Sequence, residues 1–200
     1  MLHERIRTPQ TQLLTELAEL IQEVTVMRSY DREVLVRDMD AQSPSYRLFF
    51  DHNIYACQPN ERAEPLFFAP CFTKSDSSIQ NGIHYVSRVY HRAVVKLDDK
   101  REVVGALNDA EGLIDDQVKV MSRRKGAADD IGYLKSLPRK WRRGGAHHSA
   151  RWRRDTNAVF FLGDPARLPV PLMKRGLMVP VGFSITWERL MSARPGEFRC

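Results

Sequence analysis

A stretch of twenty residues, from Lys135 to Arg154, carries eight basic side chains and no acidic one. Like charges that lie close together repel one another, so such a stretch belongs on the surface and favours a negatively charged partner. Its basic residues are Lys135, Arg139, Lys140, Arg142, Arg143, Arg151, Arg153 and Arg154. Because Pro138, Gly144 and Gly145 interrupt it, we predict a basic loop over about 135–155 and not one helix.

The positive charge of the chain is concentrated in this stretch. The chain has 31 Lys and Arg residues against 25 Asp and Glu residues, a net charge of +6, so the remaining residues are slightly acidic. Arginine, which predominates in the stretch, matches phosphate with its planar fork. Trp141 and Trp152 offer ring faces for stacking on bases, which a loop that only improves solubility does not need. The pattern favours binding of nucleic acid or another polyanion over a plain solvated loop.

The N-terminal region is predicted to form an amphipathic helix over about residues 8–28. Thr8 can cap it, and Pro9 suits its first position. Apolar residues then recur at helical spacing: Leu13, Leu14, Leu17, Leu20, Ile21, Val24 and Met27. A second helical region is predicted through 101–125, weakened by Gly105 and Gly112.

Several aromatic and β-branched segments are predicted to be strands. They are "YRLFF", "PLFFAPCF", Ala158–Leu162 and "GFSITWERL". The sequence does not decide between helix and strand for two segments, "REVLVRDMD" and "NGIHYVSRVYHRAVVKLDD". The chain is expected to form a single α+β domain over residues 1–200, with a mainly antiparallel sheet and helical insertions.

Cysteine content and apolar runs bear on the compartment. Cys57, Cys71 and Cys200 form no CxxC pair and are odd in number, which argues against a disulfide framework or a cysteine-rich zinc site. The sequence shows neither a signal peptide nor an apolar run of membrane-spanning length. We therefore expect a soluble, cytoplasmic protein that does not bind a membrane.

An enzymatic alternative rests on Asp76, Asp98 and Lys100. Metal-dependent nucleases use two acids to hold Mg²⁺ and a lysine to orient the attacking water. The segment "LDDK" reads equally well as a polar turn after a strand. His147 and His148 could supply acid–base chemistry for RNA cleavage; the favoured interpretation is that both extend the anion-binding loop.

The order of the C-terminal segments resembles a known family. "GGAHHSARWRRD" precedes the strand-like "AVFFLGD", the apolar "PARLPVPLMKRG" and the glycine-led "VGFSITW". This order is similar to the small RAMP-type subunits that cap the 5′ end of the guide RNA in CRISPR surveillance complexes, especially of type IV. The resemblance covers about the last two-thirds of the chain. It departs from the family in retaining one glycine, Gly182, beside Phe183, and in opening with a helix.

The resemblance implies a ferredoxin-like or RRM-like domain with a short helix over "PARLPVPLMKRG". It also implies a noncatalytic role in antiviral defence: binding the guide-RNA backbone and docking on larger protein subunits. Gly182 would let backbone amides approach the RNA, although the sequence alone favours an ordinary β-turn glycine at this position.

We expect a noncatalytic RNA-binding or single-stranded nucleic-acid-binding subunit of a ribonucleoprotein, without cofactor or metal. The predicted contacts are Arg139, Lys140, Trp141, Arg142, Arg143, His147, His148, Arg151, Trp152, Arg153, Arg154, Gly182 and Phe183. The alternatives are the Mg²⁺-dependent nuclease and a protein interaction module whose basic loop meets an acidic partner.

Overall fold

The computed structural model of the protein describes residues 33–40, 43–59, 65–72, 82–145, 156–173 and 183–186. All of them fall within one compact unit, Arg32–Cys200. The predicted helix over about 8–28 lies outside the described residues, and the single domain over 1–200 stays a prediction. No helix in the described ranges is long and apolar enough to cross a membrane.

The structure describes seven strands: β1 Glu33–Met39, β2 Ile54–Cys57, β3 Phe67–Phe72, β4 Gly82–Lys96, β5 Thr156–Leu162, β6 Ala166–Met173 and β7 Phe183–Thr186. They form a curled sheet in the order β2-β5-β4-β3-β1-β7, with β6 also paired to β4. Strands β1 and β3 run parallel, whereas β1 and β7 run antiparallel. The α+β class is confirmed, but the sheet is mixed, which corrects the mainly antiparallel sheet expected from sequence.

The segment "NGIHYVSRVYHRAVVKLDD", for which the sequence allowed helix or strand, contains the long strand β4. Its β-branched residues outweigh the helical stripe, and the strand runs unbroken from Gly82 to Lys96. Strands β5 and β6 follow one another along β4, with Gly163–Pro165 between them. The helix implied for "PARLPVPLMKRG" is wrong over Ala166–Met173, which is strand β6. Pro169 and Pro171 would each remove a hydrogen bond from a helix.

The segment "YRLFF" belongs to helix α1, Pro44–His52, and not to the predicted strand. The Ser43 side chain accepts a hydrogen bond from the Tyr46 backbone N–H at 3.3 Å, and Pro44 occupies the first turn. Asn53 ends the helix in the left-handed conformation, with φ of 56°. These end signals outweigh the strand propensity of the aromatic residues.

Two longer helices form a hairpin. Helix α2 spans Lys100–Met121, and helix α3 spans Ala128–Gly145. Gly105 and Gly112 do not break α2. The first half of the predicted basic loop is helical, so the loop prediction is wrong for residues 135–145. Pro138 lies inside α3, where the helix is held by its buried side against the sheet.

The sheet has an apolar core on each face, and the period-two alternation of β5 assigns its residues to them. Val159 and Phe161 pack with α2 and α3, whereas Phe160 and Leu162 pack in the cluster that includes Phe49 of α1. Cys57 and Cys71 are buried thiols. Helix α3 is thereby fixed by one side, and its other side faces solvent.

Candidate nucleic-acid interface

Helix α3 separates apolar from basic residues around its axis. Leu134, Leu137 and Trp141 are buried at the spacing i, i+3, i+7, which anchors one side of the helix in the core. The opposite side carries the exposed residues Lys135, Arg139, Arg142 and Arg143. The packing of α3 therefore converts part of the basic stretch into one solvent-facing surface, which we call the α3 basic face.

Trp141 does not belong to this face. Its side chain is fully buried, its Nε1 donates a hydrogen bond to the Leu162 carbonyl at 2.9 Å, and its ring meets Phe161 edge-on at 5.5 Å. No ring surface is left for a base, so the stacking contact predicted for Trp141 is wrong. The apolar neighbours at i−7 and i−4 were the sequence signal that could have identified it as a core residue.

Lys140 is held at the junction between β5 and β6. Its Nζ donates to Asp164 Oδ1 at 2.5 Å, and Asn53 Nδ2 donates to the same oxygen at 2.6 Å. The Asp164 backbone N–H donates to Tyr133 Oη at 2.8 Å. Lys140 therefore anchors α3 to the sheet, and its ammonium group is occupied by Asp164.

Two tyrosines, Tyr133 and Tyr90, pack at this junction. Burial raises the pKa of Tyr133 and of Tyr90 above the ordinary tyrosine value, with a smaller lowering by the Arg88 charge in both cases. The Arg88 guanidinium lies 5.0 Å from the centre of the Tyr90 ring, within cation–π range. A Cβ on Gly163 would lie 2.9 Å from Tyr133 Oη. The junction is closely packed and serves to brace the fold.

Arg142 lies on the α3 basic face but is paired with an acid. Its Nε and NH2 nitrogens lie 2.5 and 2.6 Å from the two carboxylate oxygens of Glu111 on α2. The same guanidinium reaches Asn108 Oδ1 at 3.5 Å. The hydrogen bond and the charge of Glu111 raise the pKa of Arg142. The pair links the two helices of the hairpin.

Among the residues that the structure describes, no acid pairs with the other three cations of the α3 basic face. Lys135, Arg139 and Arg143 are exposed, and none of the ion pairs formed among the described residues includes them. Between Lys135 and Arg139 the face carries the small residue Ser136, whose hydroxyl donates to the Tyr133 carbonyl at 2.7 Å. No long side chain therefore covers the helix surface at this position.

Sequence reasoning missed a second group of cations, Arg123, Arg124 and Lys125, in the turn between α2 and α3. They are exposed, and the consecutive letters "RRK" were a visible signal. Four acids lie nearby in the sequence: Asp115, Asp116, Asp129 and Asp130. Because of these acids the turn has little excess charge, in contrast to the α3 basic face at the other end of the hairpin.

Several predicted contacts lie outside the described residues. They are His147, His148, Arg151, Trp152, Arg153, Arg154 and Gly182. The backbone of Phe183 lies in β7, paired opposite Val36 of β1, and its side chain is not described. The nucleic-acid contacts proposed for these residues stay predictions.

The residues of the nuclease alternative lie at the start of α2. Asp98 is in the turn after β4, and Lys100 begins the helix; both are exposed. The neighbouring Asp99 is the N-cap, accepting hydrogen bonds from the backbone N–H groups of Arg101 and Glu102. Within the described ranges no three acidic, histidine or cysteine side chains could together hold a metal ion, and Asp76 lies outside those ranges. "LDDK" is thus a turn followed by a helix cap.

Comparison with known proteins provides no relative from which to transfer a function: no family model matches the chain, and no curated protein or solved structure is significantly similar to it.

Proposed function

We propose that the protein binds single-stranded nucleic acid, RNA foremost, through Lys135, Arg139 and Arg143 of the α3 basic face and through the basic segment that follows it, and carries out no reaction itself. The observation that carries the proposal is the solvent-facing group Lys135, Arg139 and Arg143, without an acid contact among the described residues. Neighbouring like charges on a rigid helix raise the energy of the free protein. A polyanion relieves this repulsion and releases its own counterions on binding.

The charge distribution favours a chain-like anion over a small one. The exposed cations follow the helix axis, and the sequence continues with Arg151, Arg153 and Arg154. Grooves and faces that track a nucleic-acid backbone combine such cations with aromatic residues. Since Trp141 is buried, Trp152 is left as the aromatic residue that we propose for base stacking.

The resemblance to guide-RNA-capping subunits suggests a place for this binding within a ribonucleoprotein that includes larger protein subunits. The order β1, α1, β2, β3 is compatible with the start of a ferredoxin-like domain, which reads strand, helix, strand, strand. Strand β4 then comes before the next helix, and β2 pairs with β5. We therefore propose a variant of that architecture at most, and RNA binding does not depend on it.

The test compares two variants that each lose three positive charges. Lys135→Ala/Arg139→Ala/Arg143→Ala removes the unpaired cations of the α3 basic face, and Arg123→Ala/Arg124→Ala/Lys125→Ala removes those of the hairpin turn. Affinity for a labelled single-stranded RNA oligonucleotide is measured against salt concentration. We expect the first variant to bind more weakly with a flatter salt dependence, and the second to retain most of the affinity.

Equal losses in both variants would indicate a general charge effect and would contradict the proposal. So would RNA binding that neither variant weakens, or binding to an acidic protein with none to RNA. The last result would favour an interaction module. Magnesium-dependent cleavage by the purified protein, abolished by Asp98→Ala, would favour the nuclease.

A further inference from the structure

We infer that Lys135, Arg139 and Arg143 form a ladder that contacts three phosphates of one strand, while Glu111 holds Arg142 out of this contact. The inference rests on the proposed nucleic-acid binding and specifies which cations of the face perform it. It separates four basic residues that look equivalent in the sequence into a contacting group of three and one structural residue.

The spacing of the three cations suits a strand that follows the helix. Positions four residues apart are displaced by about 6 Å along the axis and by about 40° around it. Lys135, Arg139 and Arg143 therefore stay on one face over about 12 Å. Single-strand binding surfaces track a backbone by presenting cations in succession.

Space beside the ladder permits close approach. Gly132 and Ser136, which lie one turn apart, are both exposed, and a Cβ built on Gly132 would meet no atom within 4 Å. Long side chains at these positions would keep a strand away from the helix. The cationic side chains therefore project further from the helix axis than these small residues do.

Arg142 differs from its neighbours because its hydrogen-bonding edge is occupied. Its NH2 nitrogen donates a charge-assisted hydrogen bond to Glu111 Oε2 at 2.6 Å, and its Nε lies 2.5 Å from Glu111 Oε1 as an ion-pair contact. The Glu111 side chain is 23% exposed and that of Arg142 52%. A phosphate that approached Arg142 would also approach the Glu111 charge and be repelled by it.

The experiment measures the slope of log affinity against log salt for the full chain and a single-stranded RNA oligonucleotide. Each phosphate contact contributes about −0.7 to this slope. We expect Lys135→Ala, Arg139→Ala and Arg143→Ala each to flatten the slope by about 0.7, whereas the matched control Arg142→Ala leaves it unchanged. Circular dichroism and the urea midpoint verify that each variant is folded, and only the folded fraction enters the fit.

Glu111→Gln provides the complementary variant, since it retains the shape of the side chain and removes the charge. We expect the released Arg142 to add a contact and steepen the slope by about 0.7. The inference is overturned if Arg142→Ala flattens the slope as much as Arg139→Ala does, or if Glu111→Gln leaves it unchanged. If none of the four basic residues affects the slope, the proposed function of this face fails with it.

Discussion

Trp141 donates its indole N–H to the carbonyl oxygen of Leu162, at 2.9 Å, and so ties the middle of the basic stretch to the end of strand β5. The same tryptophan is fully buried. Its neighbours Lys140 and Arg142 are both paired with acids, the first with Asp164 on the sheet side and the second with Glu111 on α2. The apolar anchor thus determines which cations of α3 face the solvent.

Replacing Trp141 should therefore affect stability and not affinity. Trp141→Ala removes a fully buried ring and should cost about 3–5 kcal/mol of unfolding free energy. Trp141→Phe keeps part of the ring volume but leaves the Leu162 carbonyl without its donor, which costs about 1–3 kcal/mol. Urea midpoints measure the loss of stability in the two variants. The RNA affinity per folded molecule should stay at the wild-type value. A selective loss of affinity with an unchanged midpoint would contradict the buried role.

Two glycines of α3 should respond in opposite directions to alanine. A Cβ on Gly144 would lie 2.6 Å from His52 Cβ and 2.8 Å from Ile54 Cδ1, whereas Gly132 faces open space. Gly144→Ala should thus destabilise the protein by about 1–3 kcal/mol through overpacking. Gly132→Ala should stabilise it by up to about 1 kcal/mol through helix propensity. Thermal unfolding of both variants measures the contrast, and a shift of the same sign in both would refute this account of α3 packing.

Asp164 should matter because it serves two donors from different elements. In Asp164→Ala the buried amide of Asn53 and the half-buried ammonium of Lys140 both lose their shared acceptor, at a cost of about 1–3 kcal/mol. Asp164→Asn keeps an acceptor oxygen and should cost less. The comparison is made by urea unfolding at neutral pH. Equal stability of the alanine variant and the wild-type protein would show that the junction contributes nothing to the fold.

Asp98 and Asp99 are adjacent acids with different expected effects. Asp99→Ala removes the N-cap of α2 and should cost about 1 kcal/mol. Asp98→Ala, at an exposed turn position, should change stability by less than about 0.5 kcal/mol. The two unfolding curves form a matched pair, because each variant loses one carboxylate from the same turn. A larger loss of stability in Asp98→Ala than in Asp99→Ala would indicate that Asp98, and not Asp99, caps α2.

The raised pKa of Tyr133 predicts a loss of stability in alkali. An unfolded tyrosine ionises near pH 10, and burial raises the pKa of Tyr133 in the folded protein. The folded state therefore keeps its proton where the unfolded state releases it, so stability falls as the pH rises above about 10. Tyr133→Phe should be less stable at neutral pH, because it loses the Asp164 contact, and less sensitive to alkali. Urea midpoints between neutral pH and pH 11 test this, and an undiminished alkaline loss in the variant would assign it to other groups.

Sequence reasoning succeeded where local pattern and burial agree. The strands predicted for "PLFFAPCF" and Ala158–Leu162, from their β-branched and aromatic residues, are present as β3, Phe67–Phe72, and β5, Thr156–Leu162. The sheet buries both faces of these segments. The helix-start signal at Ser43 and Pro44 is also readable from the local sequence. The aromatic residues of "YRLFF" that follow it nevertheless favoured the prediction of a strand. Helix α1 shows that end signals can determine an element when its propensity points elsewhere.

The sequence by itself determined that residues 135–154 carry concentrated positive charge, because charge is a property of composition. Only the tertiary structure decided which of these charges are available. Packing of Leu134, Leu137 and Trp141 against the sheet fixes the rotation of α3 about its axis, and this rotation turns Lys140 toward Asp164 and Arg142 toward Glu111. Those acids lie 24 and 31 residues away in the chain. No local pattern reveals a partner at that distance, because it is set by how the helices and strands pack together.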